Sequence, residues 1–75
     1  MSPYSDIVAY MKRADLYKKL GQYNKAIIDY SKVIQIKPIF VMSYMSRGEC
    51  YRALGNYQQA EADVGKATQI MFRRR

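Results

Sequence analysis

The sequence contains no histidine, a single cysteine (Cys50) and no long apolar run. One thiol cannot form an intrachain disulfide, and without histidine a structural zinc site has no adequate ligand set. A cysteine-poor chain suits a reducing compartment, and the first residues lack the basic-then-apolar pattern of a secretory signal. No run approaches the roughly 18 apolar residues that a membrane span needs. We therefore expect a cytoplasmic protein, with the nucleus as the alternative, and no membrane span.

Groups that carry catalysis are scarce as well. Catalysis needs a base, a nucleophile or a bound metal held in one place. The sequence offers no histidine, no glycine-rich phosphate loop and no clustered carboxylates. The protein is therefore not expected to be an enzyme, and neither a cofactor nor a metal is expected.

Acidic residues are few beside basic ones, and the formal net charge is +7 for 75 residues. Such a balance raises the question of an anionic partner. Arg73, Arg74 and Arg75 supply three of these charges, and the remaining cations are scattered along the chain. We interpret them mainly as a solvated surface with a basic end. A tail that steers an anionic partner is the second interpretation, and sequence-reading nucleic-acid binding is disfavoured.

What the sequence does have is a repeat. Gly55 lies 34 residues after Gly21, and many other residues recur at that offset. A period of this length indicates one supersecondary unit used twice and stacked, because neither copy can bury its own apolar surface. The recurring pairs include Tyr10 and Tyr44, Met11 and Met45, Arg13 and Arg47, Tyr17 and Tyr51, Ala26 and Ala60, and Asp29 and Asp63.

Each copy has the apolar spacing of two helices. In the first copy this spacing predicts a helix from Ile7 to Leu20, with Ser5 as its cap, that ends at Gly21. A second helix is expected from about Tyr23 to Ile36, where Pro38 ends the run. In the second copy the predicted helices run from about Phe40 to Ala53 and from about Tyr57 to Met71. No segment alternates with a period of two, so no strand is expected.

The two copies resemble tetratricopeptide repeats, whose units are helix pairs of 34 residues. Tyr10 stands where that family most often has tryptophan, and Phe72 occupies the position of its proline. The resemblance covers nearly the whole chain. The residues that carry it are Tyr10, Ala14, Tyr17, Gly21, Tyr23, Ala26, Tyr30, Val33 and Pro38, then Tyr44, Gly48, Tyr51, Gly55, Tyr57, Ala60, Val64 and Ala67.

The resemblance implies an all-α fold of two tandem antiparallel helix hairpins, four helices in all, stacked as a short right-handed α-solenoid. We expect one domain over residues 1–75, with repeat one at about 7–40 and repeat two at about 41–74. The function it implies is a non-catalytic scaffold for protein–protein interaction, with a protein or peptide as partner.

In this family the first helix of each unit lines a concave face that binds a peptide or a helix. The corresponding residues would form apolar, acidic and basic rows across the two copies. Methionines suit a surface that accepts an apolar side chain, although they would equally pad an exposed helix face. The candidate ligand-groove residues are Val8, Met11, Asp15, Lys18, Lys19, Met42, Met45, Glu49 and Arg52.

Two further patterns predict internal structure. Arg13 and Arg47 recur with Asp29 and Asp63, so we expect ion pairs that fix the register of the hairpins, either within a repeat or across the junction. Cys50 lies on the predicted buried side of the third helix and is interpreted as a small core residue rather than a reactive thiol.

Differences between the copies bear on what lies beside them. Ile27 is replaced by Glu61 and Ile34 by Thr68, so the last helix has lost apolar surface that could receive a third repeat. Two repeats are fewer than the three usually needed for stability. We therefore expect either a terminal fragment of a longer array or a homo-oligomer. The candidate self-association residues are Ile39, Phe40, Ile70 and Phe72.

Three functions remain open at this point. The first is a scaffold module that binds a peptide or helix in its groove. The second is a structural unit that assembles with itself through exposed repeat faces. The third is a basic accessory domain that contacts nucleic acid or an anionic surface, and the scattered charge makes it the weakest of the three.

Overall fold

The computed structural model describes residues 3–73, and these form four helices with no strand. The helices are α1 (Pro3–Lys19), α2 (Tyr23–Ile36), α3 (Val41–Ala53) and α4 (Tyr57–Phe72). Each helix packs on the next one in the chain, so α1 and α2 form one hairpin, α3 and α4 form a second, and α2 and α3 join them. The predicted all-α fold of two stacked hairpins is confirmed.

The two hairpin turns are closed in the same way. Gly21 and Gly55 have φ angles of 79° and 82°, in the left-handed region that favours glycine. The backbone N–H of Gly21 donates to the Lys18 carbonyl at 3.0 Å, and that of Gln22 donates to the Tyr17 carbonyl at 2.8 Å. This pair of bonds is a Schellman motif, which satisfies the last carbonyls of α1. The same two bonds recur after α3, with the same two distances.

Helix boundaries differ slightly from those expected. α1 begins at Pro3 rather than near Ile7, because a proline in the first turn has no N–H to leave unpaired and already holds a helical φ. Ser5 therefore lies inside α1 rather than at the position before its first residue. α3 begins one residue later than expected, since Phe40 has extended backbone geometry, and α4 continues one residue further, to Phe72.

The core lies where the second hairpin meets the first. Ala14, Ala26, Tyr30 and Cys50 form a fully buried cluster, with contributions from α1, α2 and α3. The burial of Cys50 confirms that it is a core residue. Burial raises the pKa of its thiol, so the neutral form is favoured further.

Small residues stand where helices cross. A Cβ atom at Gly48 would lie 3.3 Å from the Ala60 carbonyl oxygen and 3.3 Å from the Asp63 Cβ atom. The glycine therefore lets α3 approach α4 more closely than a side chain comfortably allows. Ala14, Ala26 and Ala60 are buried as well.

Candidate functional site: a groove between the first helices of the two repeats

A groove of about 640 Å³ lies between α1 and α3. It is open to solvent and extends across both repeats, with Tyr23 from the start of α2 at its edge. We call it the α1–α3 groove. Its lining residues are Asp15, Lys18, Lys19, Tyr23, Met42, Ser46, Glu49 and Ala53.

Five of the nine groove residues proposed from the sequence line this cavity: Asp15, Lys18, Lys19, Met42 and Glu49. They meet there because α1 and α3 occupy equivalent places in successive repeats, and Asp15 and Glu49 are a pair offset by 34 residues.

The other four predicted residues lie elsewhere. Met45 and Arg52 line a smaller cavity of about 190 Å³ between α3 and α4, which also includes Glu49. We call it the α3–α4 cavity. Val8 is exposed and lies in a shallow depression near the start of α1. Met11 is half-buried and packs against the core cluster rather than lining the groove.

The charges of the α1–α3 groove are linked to one another. The Lys18 ammonium forms an ion pair with the Glu49 carboxylate across the two repeats, and this hydrogen bond raises the pKa of Lys18. The Tyr30 hydroxyl donates a hydrogen bond of 2.5 Å to Asp15 Oδ1. The pKa of Tyr30 is raised, chiefly because the hydroxyl is buried and secondly because of this hydrogen bond. Of the lysines in the groove, Lys19 has no ion pair within residues 3–73.

Two bidentate ion pairs hold the hairpins in register, and both form within a repeat. Arg13 Nε and Nη2 donate to the two carboxylate oxygens of Asp29 at 2.8 and 2.9 Å. Arg47 makes the same pair with Asp63 at 2.8 and 2.7 Å. Each bond raises the pKa of its arginine. The predicted pairing is confirmed.

Arg47 also joins the repeats. Its third nitrogen, Nη1, donates to the Ser31 hydroxyl on α2 at 3.0 Å. This contact links α3 of the second hairpin to α2 of the first. The repeat pattern does not predict it, because Ser31 is replaced by Gly65 in the second copy and the pair therefore does not recur.

Tyr23 and Ser46 were also missed as groove residues. Tyr23 belongs to α2, while the candidates were drawn from the first helix of each unit. Ser46 corresponds to Lys12 in the first copy, so its row is not matched in chemistry. The recurrence of tyrosine at position 57 was the one available signal for Tyr23.

Two of the four candidate self-association residues lie together. Ile39 and Ile70 line one depression of about 430 Å³, together with Val41 and Arg73. Phe40 is half-buried, and its carbonyl accepts a hydrogen bond from the Ser43 hydroxyl at 2.6 Å. Phe72 is exposed and is not part of that depression.

Much of the positive charge is engaged by aromatic rings. Lys25, Lys32 and Lys37 lie 5.7, 5.9 and 5.3 Å from the ring centroids of Tyr17, Tyr10 and Tyr4. Such contacts attract a cation to the face of a ring. Of the basic end, Arg73 is described, whereas Arg74 and Arg75 lie outside the described residues.

Other classes of site find little support in the part of the chain that the structure describes. No three residues among histidine, cysteine, aspartate and glutamate are grouped there in a way that could hold a metal. None of the helices within residues 3–73 is both long and apolar enough to cross a membrane.

Comparison with known proteins identifies the repeat. Sequence profiles of the tetratricopeptide repeat match residues 7–40 and, separately, residues 43–70. No curated protein matches the chain.

Proposed function

Since the chain belongs to the tetratricopeptide repeat family, whose members are generally protein–protein interaction modules, we propose that it is a non-catalytic scaffold that binds a peptide or helix in the α1–α3 groove. The observation that carries the proposal is the groove itself. Its volume of about 640 Å³ lies within the usual range of ligand pockets, and it is continuous across both repeats.

The lining favours a partner segment with one apolar and one acidic side chain. Met42 is exposed and offers a flexible thioether to an apolar side chain. Lys19 offers an ammonium that no carboxylate of the described residues pairs. The Lys18–Glu49 pair is exposed, and exposed pairs contribute little, so an incoming carboxylate can compete for Lys18 at small cost.

The distribution of the cations favours a protein partner over nucleic acid. Arg13, Arg47 and Lys18 are paired with carboxylates, and Lys25, Lys32 and Lys37 lie over tyrosine rings. A phosphate backbone is bound by a patch of unpaired cations.

We place the module in the cytoplasm, where a single buried thiol stays reduced.

The test is capture of a partner by the immobilised chain, with bound proteins identified by mass spectrometry. Lys19→Glu and Met42→Glu should each reduce capture of the same partner about tenfold or more, corresponding to about 1.4 kcal/mol. Ile28→Glu is the matched control, because Ile28 is an exposed apolar residue on α2, outside the groove.

Retained capture by both groove variants would contradict the proposal. Ionic strength distinguishes this scaffold from a basic domain that contacts nucleic acid. Binding to nucleic acid weakens steeply with salt, whereas an apolar contact at Met42 does not. Loss of all capture between 50 and 200 mM salt, roughly the range over which phosphate contacts fail, would indicate an anionic partner instead.

A further inference from the structure

The junction between the repeats is formed by one face of the first hairpin and one face of the second. The two outer ends of the stack present the equivalent two faces without a neighbouring repeat. On α3, Cys50 is fully buried against the first hairpin. Leu16 holds the same position on α1 and is 55% exposed. On α2, Tyr30 is fully buried beneath α3, and Val64, at the same position on α4, is 46% exposed. Leu16 and Val64 therefore lack the neighbouring repeat that covers Cys50 and Tyr30.

We infer that copies of this chain bind one another head to tail, with α1 of one copy in the α3–α4 cavity of the next. In this arrangement α1 takes the place that α3 holds against the first hairpin. The α1–α3 groove then continues from one copy into the next. The occupant of the cavity is thus a second copy of this chain.

Side-chain volumes at the two open ends compensate each other. Inside the molecule, a large Tyr30 meets a small Cys50. Between copies, a small Val64 would meet a large Leu16. Gly48, which stands where the first repeat has an alanine, enlarges the cavity further, and both Gly48 and Val64 line it. The extra volume of leucine over cysteine fits the space that valine leaves in place of tyrosine.

The charges are also complementary. Within the molecule, Lys18 of α1 pairs with Glu49 of α3. Arg52 is the equivalent of Lys18, and Asp15 is the equivalent of Glu49. In the proposed contact Arg52 therefore lies beside Asp15 of the copy whose α1 occupies the cavity, and a basic residue again faces an acidic one. Arg52 lines the cavity and has no ion pair within residues 3–73. Asp15 accepts the Tyr30 bond through Oδ1, which leaves its second oxygen for Arg52.

One bond of the internal junction is not reproduced. The bond from Arg47 to Ser31 would become one from Arg13 to Gly65, which has no side chain. The contact between copies is therefore weaker than the covalently linked junction. It also joins two different surfaces, and such a contact continues into open chains or larger rings rather than ending at a pair.

The test is self-association of the whole chain, measured by sedimentation equilibrium over a wide concentration range. The weight-average mass should rise with concentration without a plateau at two copies. Leu16→Asp and Val64→Asp should each lower the association constant at least tenfold, because each blocks one of the two surfaces and the two carboxylates would repel each other if the blocked surfaces met. Both residues are partly exposed, so both variants should keep their far-UV circular dichroism and melting temperature.

A mixture of the two variants gives the decisive result. Each variant keeps the surface that the other has lost, so an equimolar mixture should form a dimer and nothing larger. Ile28→Asp is the matched control and should associate like the parent chain, because Ile28 is 57% exposed and its equivalent, Ala62, is exposed as well.

Three results would overturn the inference. The first is a chain that stays monomeric at every concentration, which would leave the cavity to a different occupant. The second is a mixture of the two variants that forms no dimer. The third is association that Leu16→Asp leaves intact and Ile39→Asp abolishes, since the contact would then lie at the depression formed by Ile39 and Ile70.

Discussion

The junction between the repeats and the two outer ends of the stack are built from the same positions of one 34-residue unit, yet the junction is closed and the ends are open. Tyr30 and Cys50 are buried at the junction, whereas their equivalents Val64 and Leu16 are half exposed. Burial at these positions therefore depends on the neighbouring repeat and not on the position within the unit. The difference between the two regions predicts which substitutions are costly.

The largest effect is expected when Tyr30 at the junction is replaced by valine, the residue at the equivalent position of the open end. Tyr30→Val should lower the free energy of unfolding by about 3 to 4 kcal/mol, because it leaves a cavity in a fully buried cluster. It also removes the hydrogen bond to Asp15. Urea denaturation followed by circular dichroism measures the change.

Val64→Ala is the control for Tyr30→Val. It trims the equivalent residue where that residue is half exposed, and it should cost less than about 1 kcal/mol. Equal losses for the two variants would mean that the junction is no better packed than the open end, and the comparison would fail.

The second effect separates the two ion pairs. The side chains of Arg47 and Asp63 are 20% and 6% exposed, whereas those of Arg13 and Asp29 are 57% and 2% exposed. Asp63→Ala should cost about 2 to 3 kcal/mol, because it leaves Arg47 largely buried without its carboxylate. Asp29→Ala should cost less, because Arg13 can turn to water.

Thermal unfolding of both aspartate variants measures this difference. Asp63→Asn is the conservative control, since its amide oxygen still accepts one bond from Arg47. Equal losses for the two variants would show that the position within the repeat outweighs the junction, and a larger loss for Asp29→Ala would contradict the comparison.

The matched positions of the sequence predicted the fold, because helical spacing and the two turn glycines depend on local chemistry. The ion pairs of Arg13 with Asp29 and of Arg47 with Asp63 were predicted because these residues recur together in both copies. The groove was predicted only in part: Met11 turned toward the core, while Tyr23 and Ser46 entered the lining. Those outcomes depend on how one hairpin packs on the other, and a repeat pattern contains no information on that packing.

The third effect concerns two glycines of the second repeat. Gly65 lies inside α4 and has open space where a Cβ atom would stand, so Gly65→Ala should raise the free energy of unfolding by up to about 1 kcal/mol. Gly48→Ala should gain less, because its Cβ would lie 3.3 Å from the Ala60 carbonyl oxygen. Melting temperatures of both variants, measured side by side, check the order. A larger gain at Gly48 would mean that α3 and α4 can move apart freely.

The smallest effect is a loss of stability in alkali that comes from the junction. Tyr30 has a raised pKa in the fold, chiefly because it is buried, whereas in the unfolded chain tyrosine ionises near pH 10. Above about pH 10 the unfolded chain therefore binds fewer protons than the folded one, and stability falls as the pH rises toward the folded pKa. Between pH 9 and 10.5 the loss due to Tyr30 should stay below about 1 kcal/mol.

Tyr30→Phe isolates this contribution, because phenylalanine keeps the ring but cannot ionise. The variant should lose less stability than the parent chain between pH 9 and 10.5 when both are unfolded in urea at each pH. Cys50 acts in the same direction, since burial raises the pKa of its thiol, so its contribution should persist in Tyr30→Phe and disappear in Cys50→Ala. A parent chain and a Tyr30→Phe variant with equal alkaline slopes would show that the junction admits water, and the closed junction would then resemble the open ends.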